Sequence, residues 1–350
     1  YTLHQPLGCV GVISPWNLPL YLLTWKMAPA LAAGNCVIAK PSEITPMSAN
    51  LLAEVIQAIG LPEGVVNIVH GLGTTVGEAL VKNKNIKAIS FTGSTRVGHK
   101  IAEICAGSFK KVTLEMGGKN PTIIFADAPK QNLIENLVKS SFQNSGQICL
   151  CGSRILIQRS IYQELKTELL EAISELKVGD PNKPSTMLGP VMSKVHFEKV
   201  LSYIELAKQE GGTILCGGRA LRLEGENTNG WFISPTVIEG LPMHARFCQE
   251  EVFGPVISLH IFDNESEALA LANQSKYGLA ASVWNSDLAR AHRMAAELET
   301  GIVWINTWMQ RDLRTPFGGM KQSGYGREGG LEALKFFSEP KTISIGLSDV

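Results

Sequence analysis

The chain has 350 residues, and its 32 lysines and arginines balance 32 aspartates and glutamates, so the formal net charge is zero. Proteins that bind nucleic acid usually carry a clustered basic excess, and this balance argues against that class of partner. A hydrophobic share of 45% with a charged share of 18% excludes a disordered chain, and the length favours two or three domains.

Strand and helix patterns alternate along the first third of the chain. The predicted strands are 8–13, 36–39, 65–69, 86–91 and 111–115, and the predicted helices are 20–33, 46–59, 74–82 and 95–105. Strands that alternate with helices through short connections predict parallel βαβ units.

The alternation continues through the rest of the chain. The predicted helices are 130–143, 160–176, 193–210, 265–274 and 287–298, and the predicted strands are 121–125, 155–158, 232–238, 256–262, 280–284, 302–305 and 341–346. The last segment alternates polar and apolar residues as a half-exposed strand does. Because nothing after it could pair with it locally, we expect another chain to cover it.

The first 39 residues contain a single charged residue, Lys26. Prolines and a glycine interrupt this run, whereas a membrane span needs about 20 continuous apolar residues. We therefore predict a buried strand and a buried helix, and no membrane partner. No signal peptide is visible, and the first strand begins so early that we expect a further N-terminal portion of the protein before Tyr1.

Seven cysteines stand at irregular spacing, without a CxxC pair and without an HExxH motif. A disulfide framework and a zinc site are therefore not expected, and we predict no metal. Reduced thiols are usual in the cytosol, so the sequence favours a cytoplasmic protein.

Two segments hold candidate catalytic groups. Cys149 lies between two turns in SGQICLCGSR, where it is either a nucleophile or an inert thiol, and Cys151 is either an inert neighbour or a redox partner. Glu115 ends a predicted strand directly before two glycines in LEMGGKNP. A carboxylate at that place could activate water, or it could simply be a solvated charge.

Three turns carry polar residues suited to a cofactor or to a reacting oxygen. Asn17 in SPWNLP offers an amide donor for an oxyanion, or it serves only the turn and the following helix. Lys40 and Glu43 in KPSE could meet phosphate and ribose hydroxyls, or the segment could simply cap a helix with Ser42. FTGST opens a helix with a Gly-Ser turn that suits a pyrophosphate.

Eight segments in this order resemble the aldehyde dehydrogenase superfamily, from Pro6 to about Ile345. They are SPWNLP, KPSE, FTGST, LEMGGKNP, GQICLC, EEVFGPV (250–256), PFGG (316–319) and SGYGRE (323–328). The resemblance implies an α/β fold with an open parallel-sheet nucleotide domain of Rossmann-variant type and an α/β catalytic domain. The implied bounds are 7–117 with 325–340 for the NAD-binding domain, 118–324 for the catalytic domain, and 1–6 and 341–350 for small oligomerisation strands.

The resemblance also implies a role for each matching residue. Cys149 adds to an aldehyde carbonyl, the Asn17 amide and the Cys149 backbone N–H hold the oxyanion, and Glu115 activates the water that hydrolyses the resulting thioester. Lys26 and Glu328 match positions that relay the proton of Glu115. The implied NAD contacts are Trp16, Lys40, Ser42, Glu43, Gly93, Ser94, Glu251 and Phe253, and the implied substrate contacts are Phe142, Arg311, Arg314 and Phe317.

The loop before PFGG bears on the substrate, because it lines the substrate tunnel in the family that the chain resembles. It carries Arg311 and Arg314 on either side of Asp312. Arginine suits a bidentate grip on a carboxylate, although Asp312 could neutralise one of the two at a surface. The sequences of this loop and of KQSGYGREGG most resemble those of the 2-aminomuconic and 2-hydroxymuconic semialdehyde dehydrogenases. The aldehyde substrates of those enzymes already carry a carboxylate.

Three alternatives stay open at this point. The first is a broad aliphatic or betaine-type aldehyde dehydrogenase, and the second is a non-catalytic structural protein on the same fold, against which the intact set of Cys149, Glu115 and Asn17 argues. The third is an acylating enzyme that transfers the thioester to coenzyme A, which the hydrolytic base Glu115 disfavours. The expected partners are a small aldehyde and a second copy of the chain, in a homodimer or a homotetramer.

Overall fold

A computed structural model describes residues 1–347. The strands are β1 (Thr2–Pro6), β2 (Cys9–Ile13), β3 (Cys36–Lys40), β4 (Val66–Ile68), β5 (Ile86–Thr92), β6 (Lys111–Glu115), β7 (Asn120–Ile124), β8 (Gly152–Gln158), β9 (Thr213–Cys216), β10 (Ala220–Leu221), β11 (Phe232–Ile233), β12 (Thr236–Glu239), β13 (Val256–Phe262), β14 (Tyr277–Gly278), β15 (Ala280–Trp284), β16 (Ile302–Ile305), β17 (Met320–Lys321), β18 (Gly324–Tyr325) and β19 (Ser338–Thr342).

The helices connect these strands. They are α1 (Pro19–Ala32), α2 (Met47–Ala58), α3 (Glu78–Lys82), α4 (Thr95–Ala106), α5 (Leu133–Phe142), α6 (Tyr162–Ser174), α7 (Lys194–Gln209), α8 (Arg246–Gln249), α9 (Glu265–Asn273), α10 (Leu288–Glu297) and α11 (Gly330–Phe336). In the part of the chain that the structure describes, none of them combines the length and the apolar character that a membrane crossing requires.

The chain divides into two compact units. The first unit comprises Tyr1–Met116, Asp312–Gly318 and the chain from Gly324 onward, and the second comprises Gly117–Arg311 and Gly319–Ser323. The first unit is therefore built from three separate stretches of sequence.

The first unit contains a six-stranded sheet with the order β18-β6-β5-β2-β3-β4. The five longer strands are parallel, and the short β18 is antiparallel to β6. Adjacent residues of β5 face opposite layers, since Ala88 packs with α1 while Ile89 packs with α3 and α4. Burial on both faces is characteristic of parallel sheets.

The second unit contains a seven-stranded sheet with the order β16-β15-β7-β8-β13-β12-β9, in which all neighbours but β12 and β9 are parallel. Adjacent residues of β7 again face opposite layers. Ile124 packs with α5 and α6, and Ile123 packs with α9 and α10. Side chains cap several of these helices, as Asn264 does where it accepts from the Glu267 amide at the start of α9.

The expected α/β fold with parallel units is confirmed, and its differences from the structure are local. The predicted helix 74–82 begins as a π-helical turn, Gly73–Gly77, before α3, and the predicted strand 232–238 is two short strands, β11 and β12. The prediction of strand 341–346 was wrong in position. The strand is β19, Ser338–Thr342, and residues 343–347 have no regular structure.

The expectation that this last strand is left unpaired within its own chain was also wrong. β19 pairs with β1 in antiparallel register, Thr2 opposite Thr342 and Pro6 opposite Ser338. The Tyr1 ammonium also donates to the Ile343 carbonyl oxygen at 2.9 Å. The two strands form a separate two-stranded sheet of the first unit. Residues 348–350 of the expected oligomerisation strand lie outside the described residues.

Candidate active site

The carboxyl ends of four parallel strands collect most candidate residues of the first unit at one edge of its sheet. Asn17 follows β2, Lys40 ends β3, Gly93 follows β5 and Glu115 ends β6. The chain leaves β2 toward β3 on one side and returns to β5 on the other, so the strand order reverses between β2 and β5. Open α/β sheets bind ligands in the crevice at such a point.

Lys40 and Glu43 form an ion pair at this edge. The buried Lys40 Nζ lies 3.0 Å from the exposed Glu43 Oε2, and it also donates to the Pro41 carbonyl oxygen. Partial burial alone would raise the pKa of Glu43, but hydrogen bonds from its own amide, from Lys40 and from the Gly73 amide outweigh burial and lower that pKa. Glu43 is therefore an anionic acceptor at neutral pH.

The turn after β5 begins α4. The Ser94 hydroxyl accepts from the Val97 amide, which makes Ser94 the N-terminal cap, and the Gly93 amide donates to the Glu115 carbonyl oxygen at 3.0 Å. A Cβ at Gly93 would lie 2.5 Å from the Phe91 ring, so this turn requires glycine. The first amides of a helix attract anions, so a pyrophosphate at this turn stays a prediction.

Three buried polar side chains meet between α1, β5 and the segment after β18. The Lys26 ammonium forms an ion pair with Glu328, and it donates to the Ser90 hydroxyl at 3.1 Å. Ser90 in turn donates to Glu328 Oε1 at 2.9 Å. The expected neighbours Lys26 and Glu328 are thus brought together, while Ser90 was missed by sequence reasoning.

Glu115 is buried against the PFGG segment. A Cβ at Gly318 would lie 2.7 Å from Glu115 Oε1, so only glycine allows this approach. The same segment is tied to Glu328, because Phe317 and Glu328 exchange two backbone hydrogen bonds of 2.7 Å. The backbone thus links the Lys26–Glu328 pair to the surroundings of Glu115.

Cys149 lies in the second unit, in a turn before β8. Its side chain is half-buried, and the Asn120 amide donates to the carbonyl oxygens of both Cys149 and Cys151, at 2.6 and 2.9 Å. Cys151 is buried, and this burial raises its pKa to about 12, so it remains a thiol at neutral pH. The two cysteines therefore differ in their access to solvent.

Glu251 and Phe253 lie in the same small cavity as Cys149, all within the second unit. Glu251 Oε1 accepts from the Gly118 amide at 3.0 Å, and a Cβ at Gly117 would lie 2.3 Å from the Glu251 carboxylate. Gly117 thus makes room for this carboxylate, and Gly118 supplies its backbone donor. Burial raises the pKa of Glu251.

Two side chains of α7 hold the Glu251–Phe253 segment from outside the cavity. His196 lies against the Phe253 carbonyl oxygen, and Lys199 Nζ donates to the Glu251 carbonyl oxygen at 3.1 Å. Phe253 itself has a φ of 62°, which is unusual for a bulky residue. Sequence reasoning missed both α7 residues, and no local motif marks them.

The two loop arginines have different surroundings. Arg311 is half-buried in the second unit. In the same loop, the Trp308 indole N–H donates to the carbonyl oxygen of Leu150 at 3.0 Å, and Leu150 directly follows Cys149 in the sequence. Arg314, in the first unit, is highly exposed and bound to Asp312 through Nε and Nη2. This pair lowers the pKa of Asp312 to about 2.

The aromatic residues expected at the substrate belong to different units. Phe142 is 1% exposed within the core of the second unit, among Ile124, Leu137 and Ile155. This placement does not support a substrate contact. Phe317 instead meets Trp25 edge to face in the first unit, with ring centroids 6.4 Å apart.

Trp25 also lines an apolar groove of about 360 Å³, together with Tyr21, Leu313, Gly329 and Ala333. All of these residues belong to the first unit. Sequence reasoning missed the groove. The signal that could have indicated it is the aromatic pair Tyr21 and Trp25, one turn apart on α1, since a helix presents residues four apart on one face.

The sequence profile of the aldehyde dehydrogenase family matches residues 1–343. The chain belongs to the aldehyde dehydrogenase family. It is 51% identical to 2-aminomuconic semialdehyde dehydrogenase of Mus musculus, over 99% of this chain and 71% of that protein. It is 47% identical to 2-hydroxymuconic semialdehyde dehydrogenase of Pseudomonas sp. (strain CF600), over 99% of this chain and 72% of that protein.

Among solved structures, the chain is similar to betaine aldehyde dehydrogenase from Staphylococcus aureus in complex with NAD+. The two share 40% identity and a TM-score of 0.94, over 97% of this chain and 67% of the other. The resemblance drawn from the eight motifs is thus confirmed, and the protein is an oxidoreductase that acts on aldehydes.

Proposed function

We propose that the protein oxidises an aldehyde to a carboxylic acid with NAD, and that the aldehyde is a muconic-type semialdehyde with a distal carboxylate. The observation that carries this proposal is the retention of Cys149, Glu115 and Asn17 at their motif positions in a chain half identical to semialdehyde dehydrogenases. A non-catalytic protein on this fold would have no need of the complete set.

In the proposed reaction, the Cys149 thiolate adds to the aldehyde carbon and forms a thiohemiacetal. The Asn17 side-chain amide and the Cys149 backbone N–H donate to the developing oxyanion. Oxidation leaves a thioester on Cys149, and Glu115 takes a proton from the water that attacks it. The acid then leaves, the Cys149 sulfur is regenerated, and the Lys26–Glu328 pair receives the proton from Glu115.

The residues of the first unit fit NAD. The supporting observations are the reversal of strand order between β2 and β5, the N-terminus of α4 at Ser94, and the anionic acceptor Glu43 shortly after β3. Trp16, Lys40, Ser42 and Gly93 would complete this part of the binding site, and Glu251 and Phe253 would contact the nicotinamide side. NAD supplies the acceptor for the two electrons removed from the thiohemiacetal.

We propose Arg311 as the group that holds the distal carboxylate. Arg314 is the weaker candidate, because Asp312 already occupies its guanidinium. Phe317 and Trp25, beside the apolar groove, would contact the carbon chain of the substrate. The relatives named for aminomuconic and hydroxymuconic semialdehydes support a substrate of this class.

We further propose a cytoplasmic homodimer or dimer of dimers. The β1–β19 sheet supports this assembly, because a two-stranded sheet leaves backbone donors and acceptors unpaired along its edges. A second copy of the chain could pair with such an edge.

The experiment that tests the function is NADH production by the full-length protein with ring-cleavage semialdehydes and with uncharged and betaine-type aldehydes of similar length. We expect the highest kcat/KM with a semialdehyde that carries a distal carboxylate. A Glu115→Gln variant should form about one NADH per site and then stop, with the acyl group bound to Cys149. Highest activity with betaine aldehyde would favour a betaine-type aldehyde dehydrogenase, and no NADH with any aldehyde would refute the proposal.

A further inference from the structure

Ser90 is a polar residue in the middle of the buried strand β5. Its neighbours Ala88, Ile89 and Phe91 are buried apolar residues, and Ser90 itself is 0% exposed. A fully buried hydroxyl is stable only when it is hydrogen-bonded, so its partners indicate why it stands there.

Both partners of Ser90 are charged. Its oxygen accepts from Lys26 Nζ at 3.1 Å, and its hydroxyl donates to Glu328 Oε1 at 2.9 Å. Lys26 and Glu328 also pair directly, so the three side chains form a closed set. The side chains of Lys26 and Glu328 are 0% and 7% exposed, so solvent contributes little to the orientation of the Glu328 carboxylate. A buried ion pair needs such additional hydrogen bonds to offset the loss of solvation.

The position of Glu328 matters because its backbone is tied to the surroundings of Glu115. Glu328 exchanges two backbone hydrogen bonds with Phe317, and the next residue, Gly318, packs directly against the Glu115 carboxylate. From the other side, Thr92, two residues beyond Ser90 in β5, pairs with Glu115 in the sheet register. Ser90 is thus connected to Glu115 through β5 and through Glu328.

We propose that Ser90 is a positioning residue for the hydrolytic half of the reaction. It holds the Glu328 carboxylate in the orientation in which that carboxylate accepts the proton that Glu115 has taken from water. As the water oxygen bonds to the thioester carbon, its proton moves to Glu115 and then to Glu328, the C–S bond breaks, and the Cys149 thiolate and the acid are released. This inference rests on the proposed function, in which Glu115 is the base for hydrolysis.

The experiment separates the two halves of the reaction in the full-length protein. Rapid mixing with NAD and aldehyde gives the rate and amplitude of the NADH burst, and quenched samples give the lifetime of the acyl group on Cys149 by mass spectrometry. We expect Ser90→Ala to keep the burst of the parent while the acyl group decays about tenfold more slowly, because a hydrogen bond to a charged group has been lost. Ser90→Thr, which retains the hydroxyl, should restore the decay to within about threefold.

Ser282→Ala is the matched control. Ser282 is a buried strand serine of β15, hydrogen-bonded to Thr122 and remote in sequence from the ion pair. We expect it to lower the melting temperature without a selective effect on acyl decay. If Ser90→Ala does not fold, Ser90→Cys replaces it, because a thiol has similar shape but is a weak donor.

The outcomes distinguish this proposal from the function on which it rests. A parent protein that forms no acyl group on Cys149 refutes the proposed function and this inference together. A parent that forms it, with acyl decay unchanged in Ser90→Ala, refutes the role of Ser90 alone. A Ser90→Ala variant in which burst and decay slow equally, or in which Ser282→Ala has the same selective effect, would show that the hydroxyl is merely structural.

Discussion

The imidazole Nε2 of His196 lies 2.6 Å from the backbone carbonyl oxygen of Phe253, and the two rings meet edge to face. Burial lowers the pKa of His196, so the ring is neutral at pH 7 and the carbonyl accepts the proton on Nε2. The left-handed backbone of Phe253 costs on the order of 1–3 kcal/mol, and the contacts from His196 and Lys199 help to hold it.

We expect His196→Ala to weaken NAD binding by about three- to tenfold, because the segment that carries Glu251 and Phe253 loses one of the two hydrogen bonds described above between it and α7. His196→Gln is the matched control, since its amide can donate to the same carbonyl. Titration of NAD and NADH by protein fluorescence measures the effect. Equal affinities in the parent and in His196→Ala would show that the segment holds its conformation without this hydrogen bond.

The ionised Glu43 predicts a preference for NAD over NADP. A 2′-phosphate on the adenosine ribose would meet this carboxylate, and like charges in contact are unfavourable. We expect Glu43→Gln to raise kcat/KM for NADP by about tenfold and to lower kcat/KM for NAD. Steady-state kinetics with both cofactors test this, and a parent protein equally active with NADP would indicate that Glu43 is not at the ribose.

The different burial of the two neighbouring cysteines predicts different reactivity. We expect iodoacetamide to modify Cys149 in the native protein and to leave Cys151 unmodified, because burial raises the pKa of Cys151 to about 12 and excludes the reagent. Cys149→Ala should abolish NADH formation while NAD still binds, and Cys151→Ala should retain most of the activity. Peptide mass spectrometry and activity assays measure both, and an active Cys149→Ala enzyme would contradict the mechanism.

Arg311 and Arg314 form a matched pair for testing which side chain binds the distal carboxylate of the substrate. We expect Arg311→Ala to lower kcat/KM for the carboxylate-bearing semialdehyde by about ten- to a hundredfold, because a bidentate contact is lost. The kcat/KM for an uncharged aldehyde should be nearly unaffected. Arg311→Lys should rescue only in part, because an ammonium lacks the planar fork. Arg314→Ala should change little, since Asp312 binds that side chain. Similar losses in both variants on both aldehydes would mark the arginines as structural.

The buried His260 predicts a loss of stability in acid. Burial, followed by the charges of Arg154 and Lys119, lowers its pKa to about 3, whereas an unfolded histidine titrates near 6.5. Between these values the unfolded state binds the extra proton, so the free energy of unfolding falls as pH decreases, by up to about 1.4 kcal/mol per pH unit. His260→Gln should show a shallower slope in urea unfolding between pH 6.5 and 4.5. The exposed His244→Gln is the control, and identical slopes in the three proteins would exclude His260 as the source.

Local patterns in the sequence predicted the fold and the edge of the sheet on which the first unit carries its candidates. Asn17, Lys40, Gly93 and Glu115 could be placed because each follows or ends a strand with a clear apolar pattern, and parallel strands end at one edge. The identities of the partners could not be predicted in the same way. The role proposed for Ser90 depends on its contacts with Lys26 and Glu328, which are 64 and 238 residues away in the sequence.

The same limitation explains the errors at the ends of the chain. The partner of β19 is β1, about 340 residues earlier, and no local signal joins the two strands. The burial of Phe142 likewise depends on how α5 packs on β7 and β8, and its contact with the substrate stays a prediction. Packing between distant elements decides such cases, and periodicity within one element does not report it.

The pairing of Lys26 with Glu328 constrains the order in which the two units can fold during synthesis. The two residues are 302 positions apart, so a ribosome that adds about 5–20 residues per second releases the lysine roughly 15–60 seconds before the glutamate. Throughout that interval the nascent chain has no carboxylate from Glu328 to receive this ammonium. The second unit, whose main stretch is continuous, can fold meanwhile, and the first is completed only after the stretch that begins at Gly324 has been synthesised. A stalled or truncated nascent chain would therefore expose an unfinished first sheet to chaperones and proteases.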